Sequence, residues 1–152
     1  MSANLVRMVF PLDPGAWHGN ATERVWVEPL GKDRFRLRNS PFYAFGVSNE
    51  DVVLGTKTEG QIQFGSVVLY GGHSTYRLRL QNRDLTAQSF VKAWDPLQAL
   101  GCSYEEGPVL AVDVPPSVDI YAVYDLLQAG EAAGVWDFEE GHCGHPLAKK
   151  DK

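Results

Sequence analysis

The sequence predicts an α+β protein in which an N-terminal small antiparallel β lobe is followed by a ferredoxin-like βαββαβ lobe. Short alternating runs of apolar and polar residues fill the first half, whereas helical periodicity occurs only in the second half. There, strand-like runs and two helical segments follow one another in the order of the split βαβ motif. The 152 residues suffice for one core or for two small lobes that share one. The predicted boundaries are an N-terminal arm over 1–22, the β lobe over 23–72, the ferredoxin-like lobe over 73–140 and a flexible tail over 141–152.

The arm and the β lobe supply the strands of a predicted barrel. In the arm, prolines and glycines interrupt any regular spacing of apolar residues, but the alternation of Val6, Met8 and Phe10 allows a short edge strand. Four runs beyond it have strand character and turn residues between them, which predicts a small, strongly bent antiparallel barrel. These runs are a hairpin over Glu23–Asn39 that turns at Gly31–Asp33, then Asp51–Thr58, and finally Gln61–Tyr70 with a bulge at Gly65.

An aromatic loop, Asn39–Val47, separates the hairpin from the next strand. Its residues Phe42, Tyr43 and Phe45 are too large to leave in water together, since burying each one stabilises a fold by about 1.5–3 kcal/mol. We therefore expect this loop to plug a core.

A hinge over Gly71–Ser74 leads into the second lobe, whose helices are predicted from apolar stripes. Asp95 and Pro96 interrupt the first stripe, which indicates a kink or a fresh helix start. Gly101 ends the first helix, and Pro115–Ser117 opens the second. The predicted elements are a strand over Thr75–Gln81, a helix over Leu85–Leu100, strands over Cys102–Glu106 and Val109–Val114, a helix closed by Ala132–Gly134, and a strand over Val135–Glu139.

The composition is that of a soluble globular protein, with 44% hydrophobic and 22% charged residues. No apolar run approaches the roughly 20 residues of a membrane helix, and Met1–Pro14 lacks the features of a signal peptide. We therefore expect a cytoplasmic protein without a membrane partner. Its two cysteines, Cys102 and Cys143, form no disulfide framework and should stay reduced there.

The net charge of -5 is spread unevenly along the chain. Residues 1–72 carry seven basic and seven acidic side chains, whereas residues 73–152 carry seven basic and twelve acidic ones. Nucleic-acid binders usually show a basic face, and the sequence offers no clear one. An acidic lobe suits a basic protein partner, or it serves solubility alone.

Five acidic residues are the predicted partner-binding site. They lie on two strands that we expect to end near one another, so that their carboxylates form one acidic face that receives Lys or Arg from a partner. The alternative is a solvated face with no binding role. The five residues are Glu105, Glu106, Asp137, Glu139 and Glu140.

Three arginines, Arg34, Arg36 and Arg38, lie on one face of the second hairpin strand because side chains alternate with period two. They indicate either a solvated face paired with Glu23 and Glu28 across the hairpin, or a contact with an anion or RNA.

The histidines and cysteines give only weak signals for chemistry. His142, Cys143, His145 and Cys102 would count to the four ligands of a zinc site, but adjacent side chains chelate poorly and no Cys-x-x-Cys is present. Cys102 follows a helix C-terminus, which disfavours a thiolate and indicates a buried structural cysteine. His73 is either a general base or a histidine that holds the hinge. We predict no metal, no cofactor and no catalytic residue.

Several segments together resemble the bacterial domain-of-unknown-function family 4265, over about Glu23 to Gly141. This resemblance implies a small bacterial cytosolic protein, and it brings no established catalytic residues. The segments that carry it are Asn39–Val47 with Asp51–Val53, Gly72–Thr75, Leu100–Cys102, Ala111–Pro115 and Val135–Glu140.

The function that we expect is a non-enzymatic protein-binding module, specifically an immunity protein that neutralises a basic bacterial toxin domain through its acidic face. The immunity step is an analogy with other small acidic proteins. One alternative is an RNA- or ribosome-associated regulatory protein that uses the arginine stripe. A further alternative is a small enzyme that uses His73 and Cys102.

Overall fold

Nine β-strands and two α-helices make up the part of the chain that this computed structural model describes, residues 4–147. They form two sheets, one closed into a barrel and one open, with the helices on the open sheet. The predicted α+β class is therefore confirmed. Neither helix has the length and apolar character that crossing a membrane requires.

The first five strands close into a barrel in chain order, with antiparallel neighbours. A parallel pairing of the first and fifth strands over Met8 and Val9 completes the circle. The predicted bulge is present, because Gly65 has no partner between the pairs Leu54–Ser66 and Gly55–Phe64. The strands are β1 Val6–Pro11, β2 Thr22–Gly31, β3 Arg34–Leu37, β4 Val52–Thr58 and β5 Gln61–Leu69.

Strand β1 corrects the prediction of an N-terminal arm with an edge strand. The side chains of Met8 and Phe10 are almost completely buried inside the barrel, beside Val25 and Val27 of β2. Because β1 pairs on both sides, it has no free edge and forms part of the barrel wall.

The second sheet has the strand order β7-β8-β6-β9, and every neighbouring pair is antiparallel. This order places β7 and β9 at opposite edges of the sheet. Helix α1 continues through Pro96 as one element and ends at Gly101 in the left-handed conformation. The elements are β6 Ser74–Leu80, α1 Gln88–Leu100, β7 Ser103–Glu106, β8 Leu110–Val114, α2 Ile120–Ala132 and β9 Trp136–His142.

Both helices cover one face of this sheet with the apolar stripes that the sequence predicts. Phe90, Trp94 and Leu97 of α1 pack with Leu127 of α2 and Trp136 of β9 in a single core cluster. Gly130 allows α2 to approach closely, since a Cβ there would lie 2.3 Å from the Trp136 ring. The opposite face of the sheet is turned towards the barrel.

The aromatic loop lies between the two sheets, but it does not bury all three of its aromatic rings. Of the loop residues, Ala44 and Val47 are the ones that pack into the barrel core, with 5% and 2% exposure. Gly46 has a φ of 81°, and the chain reverses there so that Phe45 points outward with 62% exposure. Phe42 packs against Gly107 of the second lobe, where a Cβ would lie 2.5 Å from its ring.

The predicted flexible tail over 141–152 also needs correction in its described part, residues 141–147. Gly141 and His142 belong to β9. His145 is 8% exposed, with its Nδ1 2.6 Å from Ser74 Oγ and its Nε2 2.8 Å from the Pro115 carbonyl oxygen. These hydrogen bonds hold the segment on the sheet. Residues 148–152 of the predicted tail and residues 1–3 of the predicted arm lie outside the described residues.

Candidate partner-binding surface

The five predicted acidic residues do not form one face. Glu105 and Glu106 lie on β7, whereas Asp137, Glu139 and Glu140 lie on β9. Strands β8 and β6 separate them, so the expectation that these strands end near one another is wrong. The physical reason is the pairing of β6, which hydrogen-bonds to β8 on one side and to β9 on the other.

Glu105 supports the fold at the contact between the lobes. Its Oε2 accepts a hydrogen bond from the Ser40 backbone amide at 2.8 Å, which ties the aromatic loop to β7. Burial raises the pKa of the Glu105 carboxyl, and the nearby charge of Asp113 raises it further. Glu106 points the other way from the same strand, and both residues retain exposed surface at this edge. Neither carboxylate adds to the charge of β9.

The three acidic residues of β9 alternate between its two faces. Asp137 points to the barrel side, where its Oδ2 lies 3.1 Å from Nη2 of Arg79. Glu139 lies on the same side, directly opposite Arg77 in the strand register. Glu140 points to the helix side and accepts a hydrogen bond from the Tyr76 hydroxyl at 3.1 Å. The edge strand β9 therefore carries negative charge on both of its faces.

Arg77 is a buried cation that joins the lobes behind this edge. It is 2% exposed, and its guanidinium donates to the backbone carbonyls of Phe42, at 2.9 Å from Nε, and Ala44, from Nη2. Its Nη1 packs against Gly141 in the space that a Cβ would fill, and it has no hydrogen-bond partner among the described residues. Burial lowers the pKa of Arg77, whereas the negative charge of Glu139 opposes that shift.

Glu23 holds the same loop from the barrel side. It is 8% exposed, and its carboxylate accepts hydrogen bonds from the backbone amides of Phe42, Tyr43 and Ala44. The loop is thus fixed by a buried anion at its amides and by the buried Arg77 at its carbonyls. This double anchor determines where Phe45 is presented.

An aromatic cleft of about 240 Å³ opens beside β9 on the barrel side. Trp17, in the loop between β1 and β2, is 52% exposed and lies above the cleft. Its ring centroid is 6.0 Å from the Arg79 guanidinium and 5.7 Å from the Tyr43 ring. The Phe45 ring lies 5.1 Å from the Arg77 guanidinium. The lining residues are Trp17, Arg77, Arg79, Val109, Asp137, Phe138 and Glu139.

More aromatic surface lies on the helix side of the same strand. Tyr124 of α2 is 43% exposed, and its ring meets that of Phe138 edge to face at 5.6 Å. Glu131 follows on α2 and accepts a hydrogen bond from the Phe138 amide at 3.3 Å. We call the two sides together the β9 surface, which comprises Trp17, Phe45, Arg79, Tyr124, Glu131, Asp137, Phe138, Glu139 and Glu140.

Sequence reasoning missed the aromatic members of this surface. Phe45 was expected to be buried with the other rings of the aromatic loop, and Trp17 was not among the predicted binding residues. A signal for Trp17 was present, because it lies in a segment rich in glycine and proline with no apolar period to carry it into a core. No comparable signal marks Phe45, since its exposure depends on the two anchors of the loop.

The histidines and cysteines are engaged in structural contacts. His73 Nδ1 lies 2.8 Å from Asp113 Oδ1, and His142 Nδ1 lies 3.0 Å from Ser48 Oγ. Burial raises the pKa of the Cys102 thiol to about 11, so it is protonated at neutral pH. Between residues 4 and 147, no group of three or more His, Cys, Asp or Glu residues has an arrangement that could hold a metal ion.

The arginine stripe is partly paired as predicted. Arg36 and Arg38 each lie 3.9 Å from a Glu28 carboxylate oxygen, and Arg38 also lies 3.3 Å from Glu50. The predicted pairing with Glu23 is wrong, because that carboxylate is buried beneath the aromatic loop.

Comparisons with known proteins give a family and a similar fold, but no activity. A family model described as a domain of unknown function, DUF4265, matches residues 23–138. Among solved structures, the chain is similar to a hypothetical protein from Neisseria gonorrhoeae, with a TM-score of 0.75 and 15% sequence identity over 96% of this chain and 99% of that one. At this identity the likeness shows the fold alone. No curated protein matches the chain.

Proposed function

The chain belongs to the DUF4265 family, whose description names no activity, and we propose from the geometry that it is a non-enzymatic protein-binding module that holds a basic partner on the β9 surface. The observation that carries the proposal is the grouping of exposed aromatic rings and carboxylates along one sheet edge. Tryptophan, tyrosine and arginine are the residues most enriched among binding hot spots. Aromatic groups within a polar rim are the usual anatomy of a protein interface.

The charge of the β9 surface favours a basic partner. The β9 surface as defined above carries four carboxylates, three on β9 and that of Glu131 on α2, and one cation, Arg79, which pairs with Asp137. Negative potential of this kind steers a cationic protein into place and rejects acidic ones. Within this proposal the protein is an immunity protein of the bacterial cytoplasm that neutralises a basic toxin domain. Asp137, Glu139 and Glu140 remain its contact residues, whereas Glu105 and Glu106 lie on the far edge.

The architecture supports a finer description of the second lobe. Its elements run strand-helix-strand-strand-helix-strand, and its sheet order places the first and third strands at the centre. We include in the proposal that this lobe is ferredoxin-like.

A capture experiment with two matched charge reversals tests the function. Tagged protein is incubated with host lysate at low and high salt, and retained proteins are identified by mass spectrometry. We expect one basic protein that is lost at high salt and lost with the double variant Glu139→Lys and Glu140→Lys. The control, Asp95→Lys with Glu106→Lys, changes the charge equally at exposed positions on α1 and β7 and should retain that protein.

The retained protein is then purified, and its affinity is measured by calorimetry. A loss of at least tenfold for the β9 variant and less than twofold for the control supports the proposal. Equal affinities for the two variants would exclude the β9 surface as the contact.

A further inference from the structure

The outer face of the barrel is more basic than the sequence count suggests. Residues 1–72 contain equal numbers of basic and acidic side chains, but two of the acids are internal. Glu23 and Asp51 are 8% and 0% exposed, and both accept hydrogen bonds from backbone amides. Folding therefore removes two negative charges from the surface and leaves the seven basic side chains in excess.

An exposed tryptophan lies in the middle of this basic face. Trp26 of β2 is 42% exposed and stands directly opposite Arg7 of β1, whose guanidinium lies 4.6 Å from the centroid of its ring. Arg24 lies two residues before Trp26 on the same face of β2. An aromatic ring flanked by guanidinium groups on a solvent-exposed sheet face is an arrangement that proteins use to stack nucleobases and bind phosphates.

A groove of about 550 Å³ lies where β1 meets β5, and Arg7, whose guanidinium packs on the Trp26 ring, is one of its lining residues. It carries three cations, Arg7, Arg24 and Lys57, and none of them has an ion-pair partner among the described residues. By contrast, Arg36 and Arg38 on the neighbouring strand are paired with Glu28. The groove thus brings together three cations that are available for an external anion, whereas Arg34 of β3, which also has no ion-pair partner among the described residues, is not part of its lining.

We propose that this groove binds single-stranded RNA. Arg7, Arg24 and Lys57 contact successive phosphates, and an unpaired base stacks on the Arg7–Trp26 pair. A single strand fits better than a duplex, because stacking on a side chain requires a base that is free of its partner strand. The site lies on the barrel, away from the β9 surface, and it adds a second binding activity to the protein-binding function.

Fluorescence anisotropy with a labelled 12-nucleotide oligouridine and the full chain tests this proposal. Each neutralised phosphate of a single strand contributes about −0.7 to the slope of log affinity against log salt. Three contacts therefore predict a slope near −2, so that binding weakens roughly 20-fold between 50 and 200 mM salt. Failure of the wild-type protein to bind at 50 mM salt would overturn the proposal.

Two double variants that remove the same charge distinguish binding in the groove from a general effect of the protein's net charge. Arg24→Ala with Lys57→Ala should weaken binding at least tenfold and make the salt slope shallower by more than one unit. Lys32→Ala with Lys92→Ala, at exposed positions in the β2–β3 turn and on α1, should change the affinity less than twofold. Equal losses for the two pairs would reduce the binding to general electrostatics and overturn the assigned site.

The stacking contact has its own readout. Trp26→Ala should weaken binding about tenfold with an unchanged salt slope, because base stacking is independent of counterion release. Trp26→Phe should retain most of the affinity. Anionic lipid vesicles serve as a competing polyanion: vesicles that bind through the same cations, with no effect of Trp26→Ala on oligouridine, would show that the groove recognises negative charge and not RNA.

Discussion

At the scale of single residues, two buried charged side chains fix the position of the aromatic loop between the two sheets. Glu23 accepts from three consecutive backbone amides of the aromatic loop, and Arg77 donates to two of its carbonyls. The sequence contained a signal for Glu23, which has the same parity on β2 as the inward-facing Val25 and Val27. The sequence contained no such signal for Arg77, because two arginines that alternate with apolar residues are equally typical of a strand face exposed to solvent.

Replacement of Glu23 tests the anchor. Glu23→Ala leaves the amides of Phe42, Tyr43 and Ala44 without their acceptor, and each unsatisfied buried group costs about 1–3 kcal/mol. Because the loop can relax and admit water, we expect the free energy of unfolding to fall by about 3 kcal/mol in urea titrations. Glu28→Ala is the control on the same strand and should cost below about 1 kcal/mol, since its ion pairs are partly exposed and 3.9 Å long. A similar loss for both variants would contradict the anchor.

At the scale of elements, the sequence predicted which segments are strands and helices better than it predicted where they lie. Period-two and helical patterns located nearly every element, because these patterns depend on local burial alone. They carried no information on strand order, so the separation of β7 from β9, and with it the division of the acidic residues, was missed. Nor did these patterns show that β1 closes the barrel, because apolar and polar residues alternate in the same way in an edge strand and in a strand that pairs on both sides.

The aromatic loop gives a prediction at the same scale, because its two anchors keep the Phe45 side chain exposed to solvent. Phe45→Ala should weaken binding of the basic protein retained by the wild type at least tenfold, through loss of an aromatic contact. The control is Leu69→Ala at the end of β5, where the side chain is equally exposed, at 63% against 62%. Both variants should melt within about 2 °C of the wild type, since each removes a mostly exposed side chain and little buried area. Equal affinities for the two variants would place the contact elsewhere.

At the scale of the whole molecule, the fold separates charge between two lobes. The barrel presents its basic groove on the outside, whereas the second lobe carries its carboxylates along β9. Each lobe has its own apolar core, and no single cluster spans them among the described residues. The lobes are joined chiefly by polar contacts, including the hydrogen bonds between Ser48 and Thr75 at 2.6 Å and between the Gly46 amide and the Gly141 carbonyl at 3.0 Å.

These buried polar contacts predict one cooperative unfolding transition despite the two cores. If either lobe unfolded alone, Arg77 would lose the Phe42 carbonyl, Glu105 the Ser40 amide and Thr75 the Ser48 hydroxyl, which makes partial unfolding costly. Methyl signals of Val25 in the barrel and Leu127 in the second lobe should therefore report the same midpoint in a urea titration followed by NMR.

Removing the central cation should break that coupling. Arg77→Met keeps an unbranched side chain between the lobes but donates no hydrogen bond to the carbonyls of Phe42 and Ala44, so we expect two separate midpoints. Arg79→Met, at a side chain that is 61% exposed, should leave a single transition. Separate midpoints already in the wild type would mean that the lobes fold independently and that the loop anchors act within one lobe only. A single transition in Arg77→Met would assign the coupling to the Ser40–Glu105 hydrogen bond and to the hydrogen bonds around Ser48.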